Sequence, residues 1–476
     1  MTNKIQNMIR IGLAYLGVLI GAGFASGKEM LQYYVSFGRQ GIWGLVVASI
    51  LFIAGGIALL EFGSYYKAQE HSEVFNNISS PLVSKVIDFC INLTLFAMGF
   101  IMIAGAGTNL AQQFDLPVWV GAALMSLLVM ACAFLDVDKI TDVIGMITPF
   151  VIIFIVGGGL YSFFHQAVPF DQAMQIATES VPTTLPHWLV STVNYACLSL
   201  MMAVSMAVVI GGDQYNPREA GYGGTFGGVL VAILLFMSYF TIALNINITK
   251  DSAMPLLTVF DSLHPILGTI MAFVVFGMIF NTAIGMFYAL GKRVSRSKPE
   301  NFRRDMIILT LIGFALSFVG FESLVAYVFP VIGYIGFGVI MLIIIQWLIN
   351  FRRIHHEMKV RDRILDYSVR NADEEQEFGR KEAREMRDLF DQSQVDSKEL
   401  MDRASELSEE IVEDDDYSWE DYYQEKDPLK PLQEAGKLSE EEREALKEEL
   451  KAEILEELKA EQAEKLKKNK STDDKK

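Results

Sequence analysis

The sequence predicts an all-α integral membrane protein of about ten transmembrane helices, arranged as a five-plus-five inverted repeat with a broken first helix. Three observations predict it. About ten apolar segments follow one another through residues 1–350, each long enough to cross a bilayer. The first of them carries Gly21-Ala22-Gly23-Phe24-Ala25-Ser26-Gly27 in its middle. Residues 351–476 then have the opposite composition, charged and poor in apolar side chains.

Apolar windows place the spans near residues 9–37, 41–63, 84–108, 118–135, 140–164, 188–211, 224–247, 265–291, 305–320 and 325–349. The boundary of the last two, at Gly320-Phe321-Glu322, is the least sharp. Lys4 and Arg10 before an apolar stretch suggest a signal peptide. No small-x-small cleavage site follows and further spans come at once, so the stretch reads as the first helix.

An even number of spans puts both termini on one side. With that side cytoplasmic, the inner loops and amino terminus carry twelve Lys or Arg, whereas the outer loops carry only Arg39 and Lys250. The positive-inside bias therefore predicts a multi-pass protein of the cell membrane with both termini cytoplasmic. Ten spans divide as five plus five. Because five is odd, a second five-helix unit enters the membrane upside down, the inverted-repeat arrangement of many secondary transporters.

Each of three glycines in seven residues costs a helix about 1 kcal/mol relative to alanine. Bare backbone in hydrocarbon costs more, so a span breaks only where protein or an aqueous cavity satisfies its amides. A broken first span thus points to a binding site near mid-membrane. Gly21, Ala22, Gly23, Ser26 and Gly27 surround a new helix amino terminus, whose amides and dipole favour a carboxylate. Gly17 and Ile20 end the preceding half-helix, where free carbonyls favour a cation. The alternative for these glycines is close helix packing. Glu29, in the first turn of the second half-helix, reads as a proton carrier, a counter-charge for Lys28, or a partner of local amides. Asn281 and Thr282 in the eighth span offer oxygens to a sodium ion, or bond a neighbouring helix. Ser199, Ala203 and Ser205 mark where the sixth span would unwind; packing is the other reading.

Other chemistries find no support. No nucleotide-binding Gly-x-x-x-x-Gly-Lys-[Ser/Thr] loop is present, so the chain does not run on nucleotide. Cys90, Cys132 and Cys197 fall within spans without metal-ligand spacing, and the histidines are likewise dispersed, so no metal centre or catalytic group is expected. The net charge of −17 belongs mainly to residues 351–476, with 25 Lys/Arg against 39 Asp/Glu, and no basic face suggests nucleic acid.

The string Gly17-Val18-Leu19-Ile20-Gly21-Ala22-Gly23-Phe24-Ala25-Ser26-Gly27-Lys28-Glu29 resembles that of the YkvI-like bacterial membrane proteins. These are relatives of the amino acid–polyamine–organocation transporters, and the resemblance covers roughly residues 5–350. The Gly-Ala-Gly core is also similar to the first-helix break of aromatic amino acid permeases and, more loosely, of sodium-coupled leucine transporters. The resemblance implies that amides around Ala22 and Gly23 hold a substrate carboxylate. It also implies that Gly17, Ile20, Asn281 and Thr282 occupy the place of the second sodium site. Phe24 stands where that group has an asparagine of its first sodium site, so that site is expected to be absent. Phe24 also lacks the acidic group of divalent-metal transporters, which counts against a metal substrate.

Residues 351–476 read as an acidic cytoplasmic tail, disordered with helical segments near 352–370, 380–412 and 438–468. The last carries Leu446, Leu450, Ile454 and Leu458, consistent with a single charged helix, a partner helix or a coiled coil. The expected function is secondary active transport of a small solute, an amino acid or related carboxylate, with no cofactor beyond a coupling Na+ or H+. The partners are then that solute and the lipid bilayer. The alternative is a non-transporting scaffold or sensor acting through the tail, by a cytoplasmic protein partner or self-association.

Overall fold

In the computed structural model, residues 2–134, 137–165, 168–296, 298–373, 376 and 378–413 are described, the side chains of 2–4, 22 and 137–148 excepted. Among these residues every regular element is helical. The broken first span is α1 (Thr2–Leu19), α2 (Ala22–Ser26) and α3 (Lys28–Tyr33). Next in the first half come α4 (Arg39–Tyr66), α5 (His71–Ile78), α6 (Pro81–Phe114), α7 (Val118–Cys132), α8 (Val137–Phe164) and α9 (Phe170–Ser180). The second half holds α10 (Trp188–Gly212), α11 (Pro217–Leu244), α12 (Ile246–Thr249), α13 (Pro255–Leu263), α14 (Pro265–Val294), α15 (Phe302–Ser317) and α16 (Phe321–Ala372). Two shorter helices, α17 (Arg380–Phe390) and α18 (Ser397–Val412), come after it.

The first predicted window covers α1 to α3, and each of the others overlaps one of the longer helices. Among the described residues six helices, α4, α6, α10, α11, α14 and α16, are long and apolar enough to cross a membrane; stretches of α1, α7 and α8 are apolar but shorter. Helix starts are set by local chemistry. Pro81, Pro217 and Pro265 open α6, α11 and α14, behind caps from Ser80, Asn216 and His264. The sixth span does not unwind: α10 is continuous from Trp188 to Gly212, through Ser199, Ala203 and Ser205.

The helices sort into two packed groups. In one, α4 lies against α10 and α11, and α1 against α11 and α10; in the other, α6 lies against α7, α14 and α15. The first group joins spans one and two to spans six and seven, and the second joins three and four to eight and nine. Corresponding members of the two halves thus pack together, as an inverted repeat requires.

Within the first group the backbones almost touch. A Cβ on Gly63 would lie 2.1 Å from the Val208 carbonyl, and one on Gly211 2.2 Å from that of Leu60. Gly224 meets the backbone of Gly56, and Gly227 that of Gly12. Lipid offers no hydrophobic drive for helices to associate, so this contact supplies the dispersion energy that holds them.

The described residues within 1–366 and 379–404 form one compact unit; those within 367–378 and 405–413 belong to a second. The first unit therefore extends past the predicted boundary at 350/351, because the polar part of α16 is packed. Arg361 on it is fully buried. Its guanidinium donates to the carbonyls of Ser64 (2.9 Å), Tyr65 (2.9 Å) and Tyr215 (2.8 Å), and pairs with Glu357 at 2.8 Å. Glu357 in turn accepts from the Ser393 hydroxyl and the Gln394 amide. One arginine thus closes the carboxyl end of α4, satisfies the α10–α11 turn and anchors the segment after α17. The second unit includes a Tyr367–Phe378 ring contact. The expected helix at 438–468 and its coiled-coil alternative lie outside the described residues.

Removing Arg361 leaves Glu357 buried without its cation and three carbonyls without a donor. Arg361→Ala is expected to destabilise the protein by about 3–5 kcal/mol, read by unfolding in detergent; unchanged stability would mean that the contact carries no weight.

Candidate functional site

The site is built on the interruption between α1 and α3. Intrahelical bonding ends with Ile20 N–H to Leu16 O, at 2.9 Å, and Gly21 N–H to Leu19 O, at 3.0 Å. It resumes with Ala25 N–H to Gly21 O at 3.1 Å. Among the described residues the carbonyls of Gly17 and Ile20 accept no hydrogen bond, and the Gly23 amide donates none. A second joint follows at Gly27, whose φ of +80° lies in the left-handed region that glycine tolerates. A Cβ there would also press on Leu256 and Ile242 at 2.8 and 2.9 Å. Ser26 ties the joint together: its hydroxyl donates to Gly23 O at 2.8 Å and accepts from Lys28 N–H at 3.2 Å.

Glu29 turns back into the break. A Cβ built on Gly23 would fall 1.7 Å from Glu29 Oε1, so the carboxyl group lies directly against that glycine. Its other oxygen accepts from the Tyr195 hydroxyl of α10 at 3.0 Å. Tyr195 packs against Tyr33 and Tyr34, with ring centroids 5.3 and 5.4 Å away. The hydroxyls of Tyr33 and Tyr34 are buried without a hydrogen-bond partner. Lys28 does not pair with its neighbour: its ammonium reaches Glu322 at the start of α16 and the Ser252 carbonyl. Lys28 and Glu322 line a cavity of about 510 Å³, together with Gln32, Thr183, Thr184 and Tyr327.

The remaining predicted residues divide. Thr282 is brought to the break, 3.9 Å from a Cβ on Gly21, with its hydroxyl donated to Met278 O. Asn281 is half-buried and makes no hydrogen bond among the described residues. Ser199 and Ala203 are buried one and two turns beyond Tyr195 on α10, and Met202 between them reaches Gly21. The side chain of Ala22 lies outside the described residues. Glu322, Tyr33 and Tyr34 were not identified from the sequence, whereas Tyr195 reads there as a polar group of the sixth span facing either a cavity or the next helix. An acidic residue opening a span was the available signal for Glu322, whereas Tyr33 and Tyr34 carry no sequence mark separating them from core aromatics.

A second polar cluster lies between α5, α6, α10 and α14. His71 is buried and its ring contacts Arg293, Asp88 and Ser205. Ser205 is therefore engaged here and not in an unwound sixth span. Burial pushes the His71 pKa below the ordinary 6.5, the Arg293 charge adds to this, and Asp88 and Glu70 oppose it.

Substitutions probe both clusters. Gly23→Ala should destabilise the protein by displacing Glu29, and Glu29→Ala in the same chain should recover part of the loss. A double-mutant cycle is expected to give a coupling of about 1 kcal/mol or more; additive losses would place the two groups apart. For His71, the unfolded chain binds the proton first. Its contribution to stability is complete above the ordinary pKa and lost as pH falls through the lower folded value. Between about pH 8 and pH 5 the melting temperature should fall less in His71→Gln than in the parent; parallel curves would show that His71 does not contribute.

No family model matches the chain. It is 23% identical over 337 residues to the uncharacterized membrane protein YkvI of Bacillus subtilis (strain 168), covering 70% of this chain and 93% of that protein. It is 25% identical over 341 residues to the uncharacterized protein YyaD of the same strain, covering 71% and 96%. Among solved structures, MhsT in complex with L-phenylalanine aligns with a TM-score of 0.52 at 13% identity, over 84% of this chain and 96% of that one. The inward-facing conformation of Mhp1 aligns with a TM-score of 0.50 at 13% identity, over 73% and 77%. The chain is thus similar to YkvI and YyaD over more than nine-tenths of their length, and it has the all-α, inverted-repeat membrane fold of MhsT and Mhp1.

Proposed function

We propose that the protein is a secondary active transporter of a small solute, an amino acid or related carboxylate, working by alternating access on a Na+ or H+ gradient. One observation carries this reading: the first span is broken at mid-length, and the break gathers free backbone groups and buried polar side chains between two helix groups. A membrane helix keeps such a defect only where protein or a water-filled cavity satisfies it, and in inverted-repeat transporters that place is the binding site. Gly21, Ala22, Gly23, Ser26 and Gly27, with Ser199 and Ala203 opposite, form the solute site. Were sodium the coupling ion, Gly17, Ile20 and Thr282 would supply its oxygens, and Asn281 would join them when α14 turns. The glycine-packed group of α1, α4, α10 and α11 rocks as one body against the group of α6, α7, α14 and α15. Both termini are cytoplasmic, which makes the Lys28–Glu322 end the outer one. MhsT, of similar fold, is described with L-phenylalanine bound, which supports an amino acid as the first solute to test.

A non-transporting scaffold or sensor is the second reading, favoured by the packing of residues 379–404 onto Glu357.

Purified protein in proteoliposomes should accumulate at least one of the common amino acids under an imposed Na+ or pH gradient. Gly23→Trp, which drives a ring into the Glu29 carboxyl, should abolish accumulation. Uptake that survives Gly23→Trp moves the site elsewhere. No uptake of any amino acid, with deletion of residues 414–476 altering a cellular readout, would favour the scaffold.

A further inference from the structure

We propose that Glu29 is the proton-carrying residue of the broken-helix site, held as a neutral carboxylic acid between Gly23 and Tyr195 when the site is closed. The inference rests on the transporter reading and decides its coupling ion.

The surroundings of Glu29 argue for a proton over the two other cations that could neutralise it. A lysine or arginine partner is absent among the described residues: Lys28, adjacent in sequence, is committed to Glu322 and Ser252. A sodium ion takes a shell of several oxygens, as hard cations do. Glu29 instead has one hydroxyl on Oε2 and the α-carbon of a glycine against Oε1. A proton needs no shell and no space. The groups facing Glu29 are also the kind that leave it uncharged. The nearest titratable side chains are the phenols of Tyr195, Tyr33 and Tyr34. Of the other elements packed on α3, α2 holds no ionisable residue. On α11, Tyr239 donates to Gly38 O, and on α13, Asp261 lies against Gly268 and Gln113. Glu29 is only 6% exposed, and an unpaired carboxylate at that depth is strongly disfavoured.

The position also explains how the proton would be linked to movement. Glu29 sits on α3, Gly23 on α2, and the joint between them is Gly27 at positive φ. Turning at Gly27 separates the carboxyl group from Gly23 and Tyr195 and admits water, where the acid ionises. The proton is taken from water on the Lys28–Glu322 side and released to water on the other, carrying one positive charge per cycle.

Two measurements test this on the full chain in proteoliposomes. Infrared difference spectra between acid and alkaline buffer should contain a carboxylic acid C=O band. Glu29→Gln should remove it, and Tyr195→Phe should shift it by loss of the hydrogen bond. Bands identical in parent and Glu29→Gln would overturn the proposal. This readout needs no transport, so it stands apart from the transporter reading. In uptake, Glu29→Gln should reduce pH-gradient-driven amino acid accumulation tenfold or more while sparing equilibrium exchange of the same amino acid. Accumulation in Glu29→Gln equal to the parent would overturn the coupling role and leave the transporter reading intact. An infrared band without any transport by the parent would remove both the coupling role and the transporter reading, leaving a buried protonated acid.

Discussion

Backbone hydrogen bonding in a medium without water is the constraint on which this structure depends. A span can stay helical at no cost in unpaired amides, so an interruption has to be compensated by nearby groups. Here the interruption at Ile20–Gly21 is compensated locally by Ser26, which bonds Gly23 O and Lys28 N–H, and by Gly27, which accepts a backbone conformation other residues avoid. The groups left over are few and specific: carbonyls at Gly17 and Ile20, an amide at Gly23, and a carboxyl group that fits only because residue 23 has no side chain. The same economy of side chains explains the surrounding bundle, where glycines let α1, α4, α10 and α11 approach backbone to backbone.

The far end of α4 faces the opposite problem. There the helix stops and its carbonyls need donors away from the bilayer centre. Arg361 supplies them from a helix that has left the apolar region, and its charge is balanced by Glu357. This contact ties α16 to the α4 end and to the α10–α11 turn. It draws residues 379–404 into the membrane unit as well, through Ser393 and Gln394. The two B. subtilis relatives align over 337 and 341 of the 476 residues, so a length of chain comparable to residues 351–476 stands outside each alignment.

The fold was legible because hydropathy and glycine placement act over short distances. Apolar windows, the first broken by three glycines, were enough to locate the long helices. The site was legible only in part. Residues in the break are neighbours in sequence, and Thr282 stood out as a polar residue in an apolar span. Tyr195 and Glu322 meet Glu29 and Lys28 across 166 and 294 positions, and no local pattern announces such pairings. Residues 351–366 were read as tail because they are charged. Arg361 shows why composition misleads there: a guanidinium with five donors can be buried when carbonyls and a carboxylate surround it. The unwinding expected in α10 was not found, since its serines and alanines face helices and the His71 cluster instead.

The position of Glu29 also constrains what the site can hold and in which order. A solute carboxylate bound at Gly23 would come to rest beside the Glu29 carboxyl group. Two negative charges about 4 Å apart repel by about 4 kcal/mol at an effective dielectric constant of about 20, a penalty of about a thousandfold in affinity. Protonation of Glu29 removes that penalty and leaves a donor able to bond the incoming anion. Under the proposed coupling, an anionic or zwitterionic solute would therefore bind after the proton and leave before it. In that proposal the energetic link between proton and solute lies in one side chain and the missing side chain opposite it, so coupling would require no long-range communication through the fold.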